Sequence, residues 1–396
     1  MAANADRNTR HRIGEFLSDP RLRSVLLQAA LLLLVVWAGW SFFENARQNL
    51  AAQNVASGFG FLWETASFAV SQSLIVYDES ASYGRAFVVG LLNTLLISAL
   101  GIVFATMIGF AVGIARLSSN LLLARLAGAY VETLRNLPLL FQILFWYLAV
   151  LGTLPGPRES EPLFGVFYLT NRGILAPRLH LGEGGGVVVV ALLVAIAAGV
   201  ALATWSRHRA ARTGDRFPWF LVLIALLVLL PSLAILVTGT SVSFDVPELR
   251  GFNFVGGLRV NPEFLALLFA LSTYTAAFIA EIVRAGFLAV PRGQFEAAAS
   301  LGLRRSTTLR FVVTPQAMRL IVPPLTSQYL NLTKNSSLAA AIGYPDFFYV
   351  FAGTTLNQTG QAIEIIAITM AVYLAISLIT SIFMNWYNRA VALKGA

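Results

Sequence analysis

The sequence predicts an all-α membrane protein with about eight transmembrane helices, and three observations carry that prediction. Of 396 residues, 57% are hydrophobic and 12% charged, against about 25% charged in an ordinary soluble domain. Apolar runs recur at 25–43, 86–115, 126–151, 187–205, 218–238, 264–286, 320–344 and 363–386, each near or above the roughly 20 residues that cross a bilayer core of about 30 Å. The arginines gather at alternate ends of those runs. Such a chain cannot hide its apolar side chains in one aqueous core and still present a charged surface, which excludes a soluble enzyme. Disorder is excluded on the same ground. The absence of cysteine excludes a disulfide scaffold and a Cys-ligated metal site.

The elements follow in order. Residues 1–24 read as a polar, Arg-rich cytoplasmic tail. The run 25–43 is longer than the apolar core of a cleaved signal peptide, carries Trp37 and Trp40 near its outer end, and reads as a retained span. Residues 44–85 form an outside loop with aromatic and Gly character and room for a short interfacial helix. Residues 86–151 hold two spans; the first carries Asn93, Thr94, Ser98 and the small pair Gly109 and Gly113, which permits close helix approach. Residues 152–261 form an insertion of Pro- and Gly-dense outside loops around two spans apolar on every face, as suits lipid exposure. Residues 262–388 hold two more spans around a cytoplasmic loop, 287–319. The run 320–344 differs from the rest, with Thr326, Ser327, Gln328, Tyr329, Asn331, Thr333, Lys334 and Asn335. Polar groups there face protein or a wet cavity, either to line a pathway or to glue helices together. Residues 389–396 form a second cytoplasmic tail.

Net charge is +9, from 26 Arg and 2 Lys against 19 acids. One side of the eight-span layout receives Arg7, Arg10, Arg12, Arg21 and Arg23, then Arg116 and Arg125, then Arg207, Arg209, Arg212 and Arg216. The same side takes Arg292, Arg304, Arg305, Arg310 and Arg319, and finally Arg389 and Lys394. The other side holds Arg47, Arg85, Arg158, Arg172, Arg178, Arg250 and Arg259, diluted by acids such as Asp78, Glu79, Glu159, Glu161, Asp245 and Glu248. By the positive-inside rule both termini are cytoplasmic. The basic excess is topogenic, and no nucleic-acid partner is expected.

The loop 287–319 carries the functional signal. Pro291 and Gly293 break the preceding span. Residues 294–301 are good helix formers, with Glu296 expected in the first turn, where the helix dipole favours an anion. Gly302 stands where a helix ends, because Gly takes the left-handed cap conformation cheaply. Glu296-Ala297-Ala298, three residues, Gly302, nine residues, then Val312-Val313-Thr314-Pro315 resembles the coupling loop of ABC-importer permeases, in which Ile and Leu occupy the places of Val312 and Thr314. Residues 277–286 resemble the span before that loop in polar amino acid permeases. Arg135-Asn136-Leu137-Pro138-Leu139-Leu140 resembles their Arg-Gly-Thr-Pro-Leu-Leu segment, and Lys334-Asn335-Ser336-Ser337-Leu338 their Lys-Asp-Thr-Ser-Leu segment.

The similarity covers roughly residues 85–150 and 262–390, and the enlarged chain most resembles one permease subunit of the general L-amino acid importers of Gram-negative bacteria. The resemblance implies a type I ABC-importer permease core of five helices plus three additional ones, in a bacterial inner membrane. It also implies a cytoplasmic ABC ATPase pair holding ATP and magnesium, a second homologous permease subunit and a periplasmic amino-acid-binding protein. Gln294, Glu296, Ala297, Ala298 and Gly302 fall to coupling with the ATPase.

The chain shows no engine of its own. Lys334 and Lys394 lack the preceding Gly of a phosphate-binding loop, and His11, His180 and His208 lie far apart, so no catalytic residue and no metal or other cofactor is assigned to it. An ion-coupled secondary amino acid transporter is the alternative. Such carriers place acids near the bilayer midplane, whereas Glu281 lies toward the cytoplasmic end of its run and Glu364 near the outer interface. Glu281 has two readings: an intrahelical pair with Arg284 three residues on, or a contact for the ammonium group of a passing amino acid. In the second, Asn93, Gln142 and Asn331 supply neutral hydrogen bonds along the pathway.

Overall fold

Runs of Leu, Val, Ala and Ile can satisfy their backbone polar groups in lipid only as helices, and these runs fold accordingly. A computed structural model describes residues 20–52, 58–213, 215 and 217–391. The expectations placed on Arg7, Arg10, His11, Arg12, Arg216 and Lys394 lie outside the described residues. Among the described residues six helices are long and apolar enough to span a bilayer, or seven if one bent pair is counted as a span, against the eight runs read from sequence.

Helix α1 (Pro20–Ala52) outlasts its apolar run. The expected loop 44–85 therefore begins as helix, because Glu44–Ala52 contains no Gly or Pro and Gln48 bonds back to Glu44 at 3.2 Å. A single 3-10 turn, Gly60–Trp63, follows. Helix α2 (Tyr83–Ala115) is continuous. The run 126–151 is not: α3 (Leu121–Asn136) and α4 (Leu139–Leu144), with the π turn Phe145–Leu151 that prolongs α4, are bent by 108°. Pro138 disfavours helical backbone at the residue before it, and Leu137 is extended, with φ −92° and ψ 130°.

The insertion holds α5 (Gly185–Thr213) and α6 (Trp219–Thr238) as expected. Its loops carry seven short antiparallel strands, a departure from an all-helical chain. β1 (Tyr168–Thr170), β2 (Gly173–Ala176) and β7 (Leu258–Val260) form one sheet. β3 (Arg178–Leu181) pairs with β4 (Val242–Asp245), Leu181 opposite Val242. That ladder continues the α5–α6 hairpin, which brings the two loops side by side. β5 (Glu248–Arg250) and β6 (Asn253–Val255) form a third pair.

Helix α7 (Pro262–Leu288) starts with Pro at the first helical position and Glu263 in the first turn, both favoured there. The coupling segment holds α8 (Arg292–Ser300) and α9 (Arg305–Thr308), joined by the π turn Leu309–Val313 to α10 (Thr314–Asn335). Helix α10 does not count among the apolar spans: it contains Pro323 and Pro324 and passes at Ser336 into a 3-10 turn closed by Gly343. A π turn, Phe348–Thr355, then runs into α11 (Leu356–Thr359), and α12 (Ala362–Val391) closes the described chain.

The chain divides into two compact units, residues 1–96 with 345–393 and residues 97–344 with 394–396. The core of the first contains Phe61, Tyr83, Ala86, Phe347, Val350, Phe351 and Ile365, with Phe87 edge-on to Phe347 and Phe351. In the second, α7 buries most of its surface, and α2 lies against it through two glycines. A Cβ on Gly113 would stand 2.8 Å from the Ala280 carbonyl oxygen and from Val283 Cβ; one on Gly109 would stand 2.6 Å from Ile279. Gly113→Leu is expected to destabilise the protein by about 1–3 kcal/mol through overpacking, read as a lowered thermal midpoint in detergent. An unchanged midpoint would mean that the two helices do not meet at these glycines.

Candidate functional site

The coupling segment is built on one short helix with a defined stop. Pro291, with φ −58° and ψ 138°, precedes α8 as its N-cap. The helix begins at Arg292, two residues earlier than expected, so Glu296 lies in its second turn and not its first. An effect of Glu296 through the N-terminal dipole is therefore removed, and its exposed carboxylate is left to act on whatever the helix meets. At the other end Gly302 has φ +69°. The Leu303 amide donates to the Ala298 carbonyl at 3.1 Å and the Gly302 amide to the Ala299 carbonyl at 2.9 Å, the paired bonds of a Schellman cap. Of α8 only Ala298 is buried; Gln294, Glu296 and Ala297 are exposed, and Leu301 just beyond is 79% exposed. The open helix is tied back once by a side chain, Gln316 donating to Gln294 Oε1 at 3.1 Å.

Gln316 opens α10, whose two faces differ in chemistry. Ile321, Val322, Leu325 and Leu332 are buried, while Pro323, Pro324, Ser327, Asn331 and Lys334 are exposed. The exposed positions recur at three- and four-residue steps and so share a face. Exposed faces elsewhere are apolar, as with Leu221, Leu229 and Leu236 on α6. A Ser-Asn-Lys stripe suits contact with protein or water, not lipid. Lys334, named with the other polar groups of this run, stands three residues after Asn331 on the same stripe. Behind the stripe Tyr329 meets Thr106 of α2 at 2.9 Å.

Glu281 is engaged twice. Arg284 donates to it at 3.0 Å, so the intrahelical pair is formed, and Arg116, just past the end of α2, donates to its other oxygen. The Arg116, Glu281 and Arg284 side chains are 15%, 32% and 36% exposed, a half-buried charge cluster that ties α2 to α7. Gln142 sits at the α3–α4 bend, where its amide donates to the carbonyls of Leu134 and Leu137, both at 3.0 Å. Those carbonyls lost helical partners at the break. Its buried Oε1 makes no hydrogen bond, and the residue lines an otherwise mostly apolar cavity of about 660 Å³ with Tyr130, Thr133, Phe141, Trp146 and Thr273. Asn93 belongs to the other compact unit, where its amide donates to the carbonyls of Gln72 and Pro345 at 2.8 and 2.9 Å. Among the described residues no group of three His, Cys, Asp or Glu is arranged to hold a metal ion.

Three comparisons bear on this arrangement. The family described as binding-protein-dependent transport system inner membrane component matches residues 195–393. The general L-amino acid transport system permease protein AapQ of Rhizobium johnstonii is 52% identical over 375 residues, 95% of this chain and 94% of that one. The glutamate/glutamine/aspartate/asparagine transport system permease protein BztB of Rhodobacter capsulatus is 41% identical over 415 aligned positions, 97% of each chain.

Proposed function

The chain belongs to the inner-membrane components of binding-protein-dependent transport systems, among the amino-acid ABC transporter permeases, and on that premise we propose how it moves an L-amino acid inward. It forms half of the membrane channel, beside a second homologous permease subunit, with both termini in the cytoplasm. A periplasmic binding protein delivers the amino acid, and a pair of cytoplasmic ATPases supplies the energy of ATP. The ion-coupled carrier weighed from sequence gives way to this family.

Helix α8 is the coupling element. Its exposure, with Ala297 narrow and Glu296 charged, suits it to lie in a groove on the ATPase surface, and its Schellman cap makes it move as a unit. One observation carries the mechanism: Gln294 of α8 is bonded to Gln316 of α10, and α10 bears the exposed Ser327-Asn331-Lys334 stripe. A push on α8 therefore reaches the helix whose polar face lines the substrate path. Alternating access then requires two packings of these helices, biased differently by partners with and without ATP. Lys334 offers a cation for the substrate carboxylate, with Asn331 as a neutral partner.

Asn331→Leu combined with Lys334→Met is expected to lower amino acid uptake into proteoliposomes at least tenfold while the ATPase still copurifies. Uptake at the wild-type rate would remove the stripe from the path.

A further inference from the structure

The α5–α6 hairpin takes no part in the coupling route, yet the turn at its cytoplasmic end is held by a side-chain hydrogen bond and a ring pair. Helix α5 is apolar over 187–205 and then continues as Ser206–Thr213, a polar extension with Arg207, Arg209 and Arg212. The chain folds back at once: Ser206 Oγ donates to the Phe217 carbonyl at 3.2 Å, and the Trp205 and Phe217 rings meet edge to face at 5.4 Å. The Arg209 guanidinium lies 5.4 Å from the centre of the Trp205 ring. Arg209 and Arg212 are exposed and three residues apart on one helix face, and neither pairs with an acid among the described residues. Asp215 is the only acid between Glu183 and Asp245, against four arginines in that stretch.

Lengths set the depth of these groups. Nineteen apolar residues rise about 29 Å, the thickness of a bilayer core. Trp205 therefore marks the interface, where indole rings settle, and Arg209 and Arg212 stand roughly 6 and 10 Å beyond it. That is the depth of the lipid phosphates. The hairpin above presents apolar side chains outward along its length: Val190, Leu193, Val200, Leu221 and Leu229 are each more than half exposed.

We propose that the cytoplasmic end of the α5–α6 hairpin is a binding site for an anionic phospholipid, with Arg209 and Arg212 holding the headgroup phosphate and Trp205 with Phe217 seating the glycerol region. Guanidinium suits this ligand because its planar donors meet phosphate oxygens two at a time. The site rests on the permease reading only in placing the hairpin in a bilayer.

The test uses the assembled transporter, purified in mild detergent and exchanged into nanodiscs of equal phosphatidylglycerol and phosphatidylcholine. Lipid retained after re-extraction is counted by native mass spectrometry. Wild type is expected to keep phosphatidylglycerol selectively, and Arg209→Gln with Arg212→Gln to lose roughly 25-fold in that preference, about fivefold for each arginine. Arg209→Lys with Arg212→Lys keeps the topogenic charge and, should the Gln pair fail to insert, is read in its place, with retention below wild type. Arg389→Gln, an exposed cation elsewhere on the same side, should change nothing. Four results would overturn the site: no preference in wild type, full retention in both paired variants, an equal loss with Arg389→Gln, or displacement of the lipid by inorganic phosphate. Amino acid uptake by the same purified transporter, reconstituted into proteoliposomes, reports separately on the permease reading.

Discussion

Gly302→Val is expected to lower ATP-dependent amino acid uptake at least tenfold and to weaken recovery of the ATPase. Gly302 sits at φ +69°, and a β-branched residue held there costs about 1–3 kcal/mol, enough to open the two hydrogen bonds that close α8. A factor of ten corresponds to about 1.4 kcal/mol, so the lost cap alone reaches the predicted effect. A Cβ at Gly302 would meet nothing within 4 Å, so the penalty is one of backbone conformation and not of crowding. Gly302→Asn, which tolerates the left-handed region, should therefore transport at close to the wild-type rate. Equal loss with Asn and Val would show that the position matters for some reason other than its φ.

Glu281→Gln is expected to cost about 1–3 kcal/mol of stability. Truncating one member of a buried ion pair costs roughly 3–5 kcal/mol, and partial exposure of this cluster reduces that figure. The loss arises because Arg116 and Arg284 are left facing one another without the carboxylate between them. A second change should restore part of it: Glu281→Gln with Arg284→Gln ought to be more stable than Glu281→Gln alone, read by thermal unfolding in detergent. A Glu281→Gln protein with wild-type stability but reduced uptake would reverse the assignment and favour contact with the substrate ammonium group.

The helices were legible wherever apolarity ran unbroken, because a bilayer permits little else. Three features escaped for separate reasons. The α3–α4 break was written in Leu137-Pro138, but apolar side chains on both sides of it masked the change of direction. The seven strands are three or four residues each, too short for an alternating pattern to stand out among Pro and Gly. The second partner of Glu281 lies 165 residues away in the chain; spacing along a helix shows Arg284, and only the packing of α2 on α7 shows Arg116. The coupling helix was legible nearly to its ends, since its stop is local chemistry at Gly302. Its start was misplaced by two residues because Pro291 caps it and Gly293 is carried inside the first turn.

We propose that this chain is one of two permease subunits of an engine whose ATPase binds at α8. The most direct measurement is affinity purification of the intact chain from its own membrane in mild detergent, with partners identified and counted by mass spectrometry. The preparation is then reconstituted into proteoliposomes and assayed for uptake with and without ATP. The account predicts a phosphate-loop ATPase and a second permease in stoichiometric amounts, the ATPase depleted by Gly302→Val, and uptake that requires ATP. Recovery of the chain alone, active in vesicles without ATP, would contradict it.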